Sequence, residues 1–241
     1  MIAGLLHPGE MGAAVGDVLV GRGHEVLWAS SGRSEATRAR AAAFIDVGTA
    51  DEVAARADVI VSICPPHAAL DVAGSVGSFA GLYLDANAVS PQTARSLAAL
   101  FPRYVDGGIV GGPPRTPGTR LYLSGRLAGE AASLFAGSLL EPRVVSDASA
   151  LKMTYSAWSK GSAALLLATR DVAERYGVDE ALAAEWADSI PELPARLAHA
   201  ERSAAAKGWR WIGEMEEIAD TFAAVGEPEG FHRAAAEVYR G

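Results

Sequence analysis

The sequence predicts an α/β Rossmann domain, doubly wound around a mainly parallel sheet, followed by an all-α domain. Three observations carry that prediction. Short apolar runs alternate with helix-like stretches as far as Ser146. A glycine-containing turn directly follows the first run. From Ala148 onward no strand-like run appears, and Ala, Leu, Glu and Arg dominate. The expected division is therefore residues 1–147 and 148–241.

The apolar runs fall at residues 2–6, 25–29, 58–63, 82–86, 104–110 and 121–124. Most are continuously apolar rather than alternating, as strands buried on both faces of a parallel sheet must be. Ala-rich segments at 11–21, 35–43 and 92–100 carry apolar residues at helical spacing. Strand–helix alternation at this pitch is the pattern of a doubly wound sheet. Residues 149–176 read as one long helix stopped by Gly177, which also joins the domains. Two or three further helices are expected, with breaks near Pro191 to Pro194, Lys207-Gly208 and Gly226 to Gly230.

His7-Pro8-Gly9-Glu10-Met11-Gly12 stands between the first run and the first helix. A dinucleotide fingerprint needs glycines there for a tight turn, for close approach of a pyrophosphate and for helix–strand packing. The helix start then offers N–H donors and a positive dipole end to phosphate. Gly9 and Gly12 fill the second and third positions, but His7 replaces the first glycine. The second run ends in Ala29-Ser30-Ser31-Gly32-Arg33-Ser34. An NAD site places an acidic residue here for the ribose 2′-hydroxyl, and none is present. Ser30, Ser31 and Arg33 suit a 2′-phosphate instead, the alternative being a solvated loop with an incidental arginine.

Ligands of such folds bind outside the carboxyl ends of the strands. Those ends carry Cys64-Pro65-Pro66-His67, Asp85-Ala86-Asn87-Ala88-Val89-Ser90-Pro91, and Asp106 to Pro114 with Gly111-Gly112 inside it. Glycine and proline let backbone pass close to a flat ligand.

Net charge is −8 and no run of Lys and Arg appears, which argues against nucleic acid as a partner. The single cysteine, Cys64, excludes an intrachain disulfide and suits a reducing compartment. The most apolar stretch, residues 161–169, is too short for a bilayer, and the N-terminus lacks the pattern of a signal peptide. A cytoplasmic protein with no membrane partner and no metal is expected.

Together these stretches resemble the β-hydroxyacid dehydrogenase superfamily, which includes 6-phosphogluconate and 3-hydroxyisobutyrate dehydrogenases. The resemblance covers nearly the whole chain. It extends to a branch with a short, phosphogluconate-dehydrogenase-like C-terminal domain of unknown function. The characteristic segments there are Leu151-Lys152-Met153-Thr154-Tyr155-Ser156-Ala157-Trp158-Ser159-Lys160-Gly161 and Gly230-Phe231-His232-Arg233-Ala234-Ala235-Ala236-Glu237-Val238-Tyr239-Arg240.

The resemblance implies roles for individual residues. Pro8, Gly9, Glu10 and Met11 would lie against the pyrophosphate, and Cys64, Pro65 and Pro66 would line the adenosine side. Asn87 stands where the family has a serine beside the nicotinamide. Asp106 to Gly112 matches the substrate loop, with Val110 replacing a serine before Gly111 and Gly112. Lys152 matches the catalytic lysine, which relays the alcohol proton as hydride moves. Ser156 replaces the usual asparagine one turn later, and helical spacing groups Lys152, Tyr155, Ser156 and Ser159 on one face.

The implied function is NADP(H)-dependent hydride transfer to or from a small hydroxyacid- or ketoacid-type substrate. Lys152 would be the general acid/base, and Tyr155 or Ser156 would orient the oxygen. An imine reductase and a non-catalytic NADPH sensor are the alternatives. Lys160 is expected to be a solvated or interface charge, and His232 and Glu214 to be structural. Trp158, Trp186, Trp209 and Trp211 are expected in the core or in the interface of a homodimer built by the C-terminal helices.

Overall fold

A computed structural model describes residues 1–241, which divide into two compact units, Met1–Lys152 and Met153–Gly241. The first unit is built on one sheet of eight strands: β1 (Ile2–Leu5), β2 (Glu25–Trp28), β3 (Ile45–Asp46), β4 (Val59–Ser62), β5 (Leu82–Asp85), β6 (Tyr104–Val110), β7 (Thr119–Ser124) and β8 (Leu140–Val144). Their spatial order is β3-β2-β1-β4-β5-β6-β7-β8. Strands β1 to β6 are parallel, β7 runs antiparallel to β6, and β8 is parallel to β7. The order reverses between β1 and β4, and this switch point is where such sheets open a crevice.

Six helices accompany the sheet: α1 (Glu10–Gly21), α2 (Glu35–Arg40), α3 (Ala50–Arg56), α4 (Ala69–Gly74), α5 (Pro91–Ala98) and α6 (Ala128–Phe135). The continuous apolar runs have a physical reason in the two cores they feed. Leu5, Val59, Val61, Leu82 and Leu84 enter one core with Val15, Leu19 and Phe135. Their neighbours Leu6, Ile60 and Tyr83 enter the other with Val53, Val72 and Phe101. Because side chains alternate along a strand, a strand covered on both faces needs an apolar residue at every position.

Two strands escaped the sequence reading. Strand β3 has only two residues, both exposed, and β8 is an edge strand in which only Leu140 is buried. Neither presents the buried apolar run that marked the others.

The second unit is helical throughout. It comprises most of α7 (Ala148–Tyr176), then α8 (Asp179–Ser189), α9 (Leu193–Ala223) and α10 (Gly230–Arg240). Gly177, at φ +67°, stops α7, and the Val178 N–H reaches back 3.0 Å to Ala173 O. The break expected at Lys207-Gly208 does not occur, since α9 passes straight through it. A mid-helix glycine costs about 1 kcal/mol, which packing can offset. Gly208 is buried, and a Cβ there would lie 3.8 Å from the Tyr239 ring of α10.

The tryptophans do not form a core group. Trp158 and Trp209 are 72% and 64% exposed, whereas Trp211 packs edge-on to Tyr239 with ring centroids 5.1 Å apart. Lys160, expected to be a solvated or interface charge, pairs with the buried carboxylate of Glu214 and lies 5.5 Å from the Trp211 ring. Apolar surface nearby pulls this charge inward, and the carboxylate makes its burial tolerable. His232 is buried in edge contact with Phe222, centroids 4.5 Å apart.

No helix is long and apolar enough to cross a membrane. No group of His, Cys, Asp and Glu side chains is arranged to hold a metal ion.

Candidate active site

The first turn is shaped by hydrogen bonds that leave its helix start open. Gly9 N–H donates to His7 O at 2.8 Å, and Ala13 N–H to Gly9 O at 2.8 Å. Gly9 is the N-cap of α1, and no side chain caps the helix. Gly12 cannot be replaced without moving backbone, because a Cβ would stand 2.4 Å from His7 O. A helix start whose N-cap is a glycine leaves N–H donors that suit an anion, with Glu10 the one acidic side chain of its first turn.

The loop after β2 brings arginines to that turn. Arg33 Nη1 lies 2.6 Å from His7 Nε2, and Arg33 Nε is buried with no acceptor. Burial first, then the Arg33 charge, pushes the His7 pKa down to about 4. The imidazole is therefore neutral near pH 7 and accepts from Arg33. Arg38 Nη2 donates to Ser30 O at 3.0 Å, and Arg40 Nε to Pro8 O at 3.4 Å. The sequence reading missed Arg38 and Arg40. Their signal was the spacing Arg33, Arg38, Arg40, which runs from the loop into the short helix α2.

Ser30 and Ser31 are less free than the sequence suggests. Ser31 N–H is bonded to Gly48 O at 2.8 Å, and the Ser30 hydroxyl binds Asp46. That bond, with Gly48 N–H and Arg38, holds the Asp46 carboxyl below its usual range against the opposing effect of burial. Asp46 ends β3, the two-residue strand that the sequence did not reveal.

Asn87, at the end of β5, is committed on both sides of its amide. Its Oδ1 accepts the Cys64 N–H at 2.6 Å, and its Nδ2 donates to Ser62 Oγ at 3.1 Å and to the buried Asp85 carboxylate. The amide orientation follows from its partners, since a backbone N–H needs the oxygen and a carboxylate needs the nitrogen. Asn87 thus ties the Cys64-Pro65-Pro66 loop to the neighbouring strand end. Burial, helped by the Asp85 charge, pushes the Cys64 pKa up to about 12, so the thiol stays protonated.

At the end of β6, Gly111 has φ +120° and Gly112 O accepts the Thr119 hydroxyl at 2.7 Å. Val110, just before them, is buried.

Lys152 is the last residue of the first unit, and two contacts seat it. Asp106, buried on β6, caps α7: its Oδ2 accepts the N–H groups of Ala148 at 3.1 Å and Ser149 at 2.9 Å. Its Oδ1 accepts the Ser149 hydroxyl at 2.5 Å, and Ser124 Oγ donates to Oδ2 at 2.8 Å. A carboxylate at a helix start is favoured by both the orphan N–H groups and the dipole. Two residues along the same face of β6, Gly108 leaves room for Lys152, since a Cβ there would be 2.8 Å from Lys152 Cβ. Asp106 was read as the opening of a substrate loop, and in the structure its carboxylate serves as the cap of α7.

Tyr155 and Ser156 continue α7 into the second unit and differ in exposure. Tyr155 is half exposed, while Ser156 is buried with no partner for its hydroxyl.

The open α1 start and the surrounding guanidinium groups fit a ligand carrying several phosphates. Arg33 Nε, a buried donor without an acceptor, is the sharpest sign of that fit.

Residues 3–85 match the family described as NADP oxidoreductase, coenzyme F420-dependent, and residues 173–241 match a domain of unknown function, DUF1932. An uncharacterised 28.5 kDa protein of Methanothermus fervidus is 35% identical over 132 residues, 52% of each protein. The aligned chain thus spans about half the length of that curated relative.

Among solved structures, a conserved protein of unknown function, described as structurally similar to 3-hydroxyacid dehydrogenases, is 27% identical with a TM-score of 0.71. That match covers 100% of this chain and 97% of the other. The 3-hydroxyisobutyrate dehydrogenase of Mycobacterium tuberculosis shares the fold at a TM-score of 0.73 and 18% identity, covering 99% of this chain and 92% of that one. An imine reductase of Bacillus cereus does so at 0.58 and 18%, over the same shares. The chain therefore joins an NADP-oxidoreductase-like N-terminal segment to a DUF1932 segment on the fold of the hydroxyacid dehydrogenases.

Proposed function

We propose, from the fold shared with hydroxyacid dehydrogenases and the geometry of the first unit, that the chain is an NADP(H)-dependent oxidoreductase. Its substrate is a small hydroxyacid or ketoacid. The turn of Pro8, Gly9, Glu10 and Met11 receives the pyrophosphate, and Arg33, with Ser30 and Ser31 behind it, receives the 2′-phosphate. Cys64, Pro65 and Pro66 line the adenosine side, held by Asn87. The bound nicotinamide supplies or accepts the hydride. Lys152 Nζ gives a proton to the substrate oxygen in reduction and takes it back in oxidation. Tyr155 and Ser156 orient that oxygen, while Val110, Gly111 and Gly112 border the substrate. The working form is a cytoplasmic homodimer.

The observation that carries the reading is the seating of Lys152. Asp106 and Gly108 hold the first turns of α7 on β6, in the same sheet whose strand ends carry the phosphate-binding features. A lysine retained for surface charge would need neither a buried cap nor a glycine beneath it.

Turnover of NADPH and NADP⁺ with panels of ketoacids, hydroxyacids and cyclic imines tests the reading. Oxidation of NADPH with ketoacids supports it. Turnover with imines alone replaces it with imine reduction, whose enzymes share the fold. Tight NADPH binding without turnover on any panel leaves the sensor.

A further inference from the structure

We propose that His7 is a specificity-positioning residue: its imidazole holds the Arg33 guanidinium in place to receive a 2′-phosphate. The inference rests on the reading of Arg33 given above and adds a residue that the fingerprint would fill with glycine.

A histidine at that position carries a cost, because its ring is half-buried with Nδ1 lacking a partner. What the ring gains is the 2.6 Å contact from Nε2 to Arg33 Nη1. The backbone beneath is fixed independently by the Gly9 N–H on His7 O and by the close approach of Gly12. The loop opposite is fixed by Ser31 N–H on Gly48 O, by Arg33 N–H on Ser30 O at 3.1 Å and by Arg38 on Ser30 O. The histidine–arginine contact therefore joins two anchored segments.

The choice of nitrogen matters. With Nη1 engaged by His7, the Nε–Nη2 edge remains, and this edge presents two parallel N–H groups to a tetrahedral anion. Nε is the buried donor that has no protein acceptor. An unheld arginine would lose rotamer entropy on meeting the phosphate, and one already placed loses less. Burial, and after it the Arg33 charge, keeps the imidazole in its accepting form. Arg33 and Arg40 are both cations beside this turn, and Arg38 and Asp46 meet at the Ser30 side of the loop. A protonated ring would have no lone pair for Nη1 and would repel it.

The test is calorimetric binding of 2′,5′-ADP and 5′-ADP, which carry the recognition groups without the nicotinamide. Wild type should bind 2′,5′-ADP at least about tenfold tighter, or roughly 1.4 kcal/mol. His7→Leu keeps the bulk and removes the acceptor, so the ratio should fall below about threefold while 5′-ADP still binds. His7→Gln returns an acceptor near the Nε2 position and should restore the ratio, which a merely space-filling role would not require. Arg33→Ala serves as the reference. If Arg33→Ala keeps the full ratio, the 2′-phosphate reading of Arg33 is wrong. If Arg33→Ala loses the ratio and His7→Leu keeps it, the reading of Arg33 stands and the role given to His7 is overturned. If His7→Leu and His7→Gln lose it equally, the hydrogen bond is not the cause and the proposal also fails.

Discussion

Gly108 and Lys152 meet through a missing side chain: a Cβ built on the glycine would stand 2.8 Å from Lys152 Cβ and 3.1 Å from Ala148 O. One of these atoms is backbone, so the helix itself would have to move. Gly108→Ala should therefore shift the first turns of α7 and cost about 1–3 kcal/mol, as overpacking usually does. NADPH affinity should stay within about threefold, because the α1 turn belongs to other strands, while turnover falls at least about tenfold. Urea unfolding with fluorescence titration and steady-state rates checks all three. Unchanged turnover in the alanine variant would show that the position of Lys152 does not matter.

Asp106 should prove to be among the most costly polar residues to remove from the first unit. Its carboxylate accepts from two N–H groups and two hydroxyls, all buried. Asp106→Ala strands the Ser149 N–H and the two hydroxyls, at roughly 1–3 kcal/mol for each one left without a partner, while the Ala148 N–H keeps Ser124 Oγ at 3.0 Å. A loss of about 3 kcal/mol or more is expected in chemical denaturation. A loss under about 1 kcal/mol would mean that α7 is held by other contacts.

Much of this arrangement was legible in the sequence, and the remainder was hidden for identifiable reasons. Strands β1, β2, β4 and β5 were readable because both of their faces are largely buried, which favours apolar residues at successive positions. Strand β3 gave no such signal, and with it Asp46, the partner of the Ser30 hydroxyl, stayed out of view. Lys152 was found through the resemblance, whereas its supports were not. Asp106 looked like part of a loop because nothing local shows that its partners on α7 lie more than forty residues away. Lys160 and Glu214 are 54 residues apart, and only the packing of α7 and α9 side chains brings them together. Such long-range pairings leave no periodicity to read.

Acid should weaken the fold partly through His7. Its pKa is about 4 in the folded chain against 6.5 for an ordinary histidine, so between those values the unfolded chain binds a proton that the folded one does not. Stability therefore falls as the pH drops from about 6.5 to 4. His24 and His232, also lowered mainly by burial, act in the same direction. His7→Gln removes one of the three, so its melting temperature should drop less than that of wild type between pH 7 and 4.5. Equal drops would contradict the depressed pKa.

The second unit should form a homodimer. Trp158, Leu165 and Phe231, each at least 69% exposed, border an apolar groove of about 750 Å³ that Gly161 and Ala164 also line. Contiguous apolar surface of this kind is usually covered, and α7 and α10 present it together. Light scattering at micromolar concentration should return twice the chain mass, and Trp158→Glu should halve it. A monomeric wild type would refute the expectation.

The role of Lys152 is the central claim, and Lys152→Ala tests it most directly. With a substrate found in the ketoacid panel, turnover should fall by about 10²–10⁴-fold, the usual worth of general acid/base catalysis. The NADPH dissociation constant should remain near that of wild type. Lys152→Arg should not recover the rate, since a guanidinium stays protonated. A Lys152→Ala protein that is folded, binds NADPH and turns over within threefold of wild type would contradict the account and move the proton transfer to another residue.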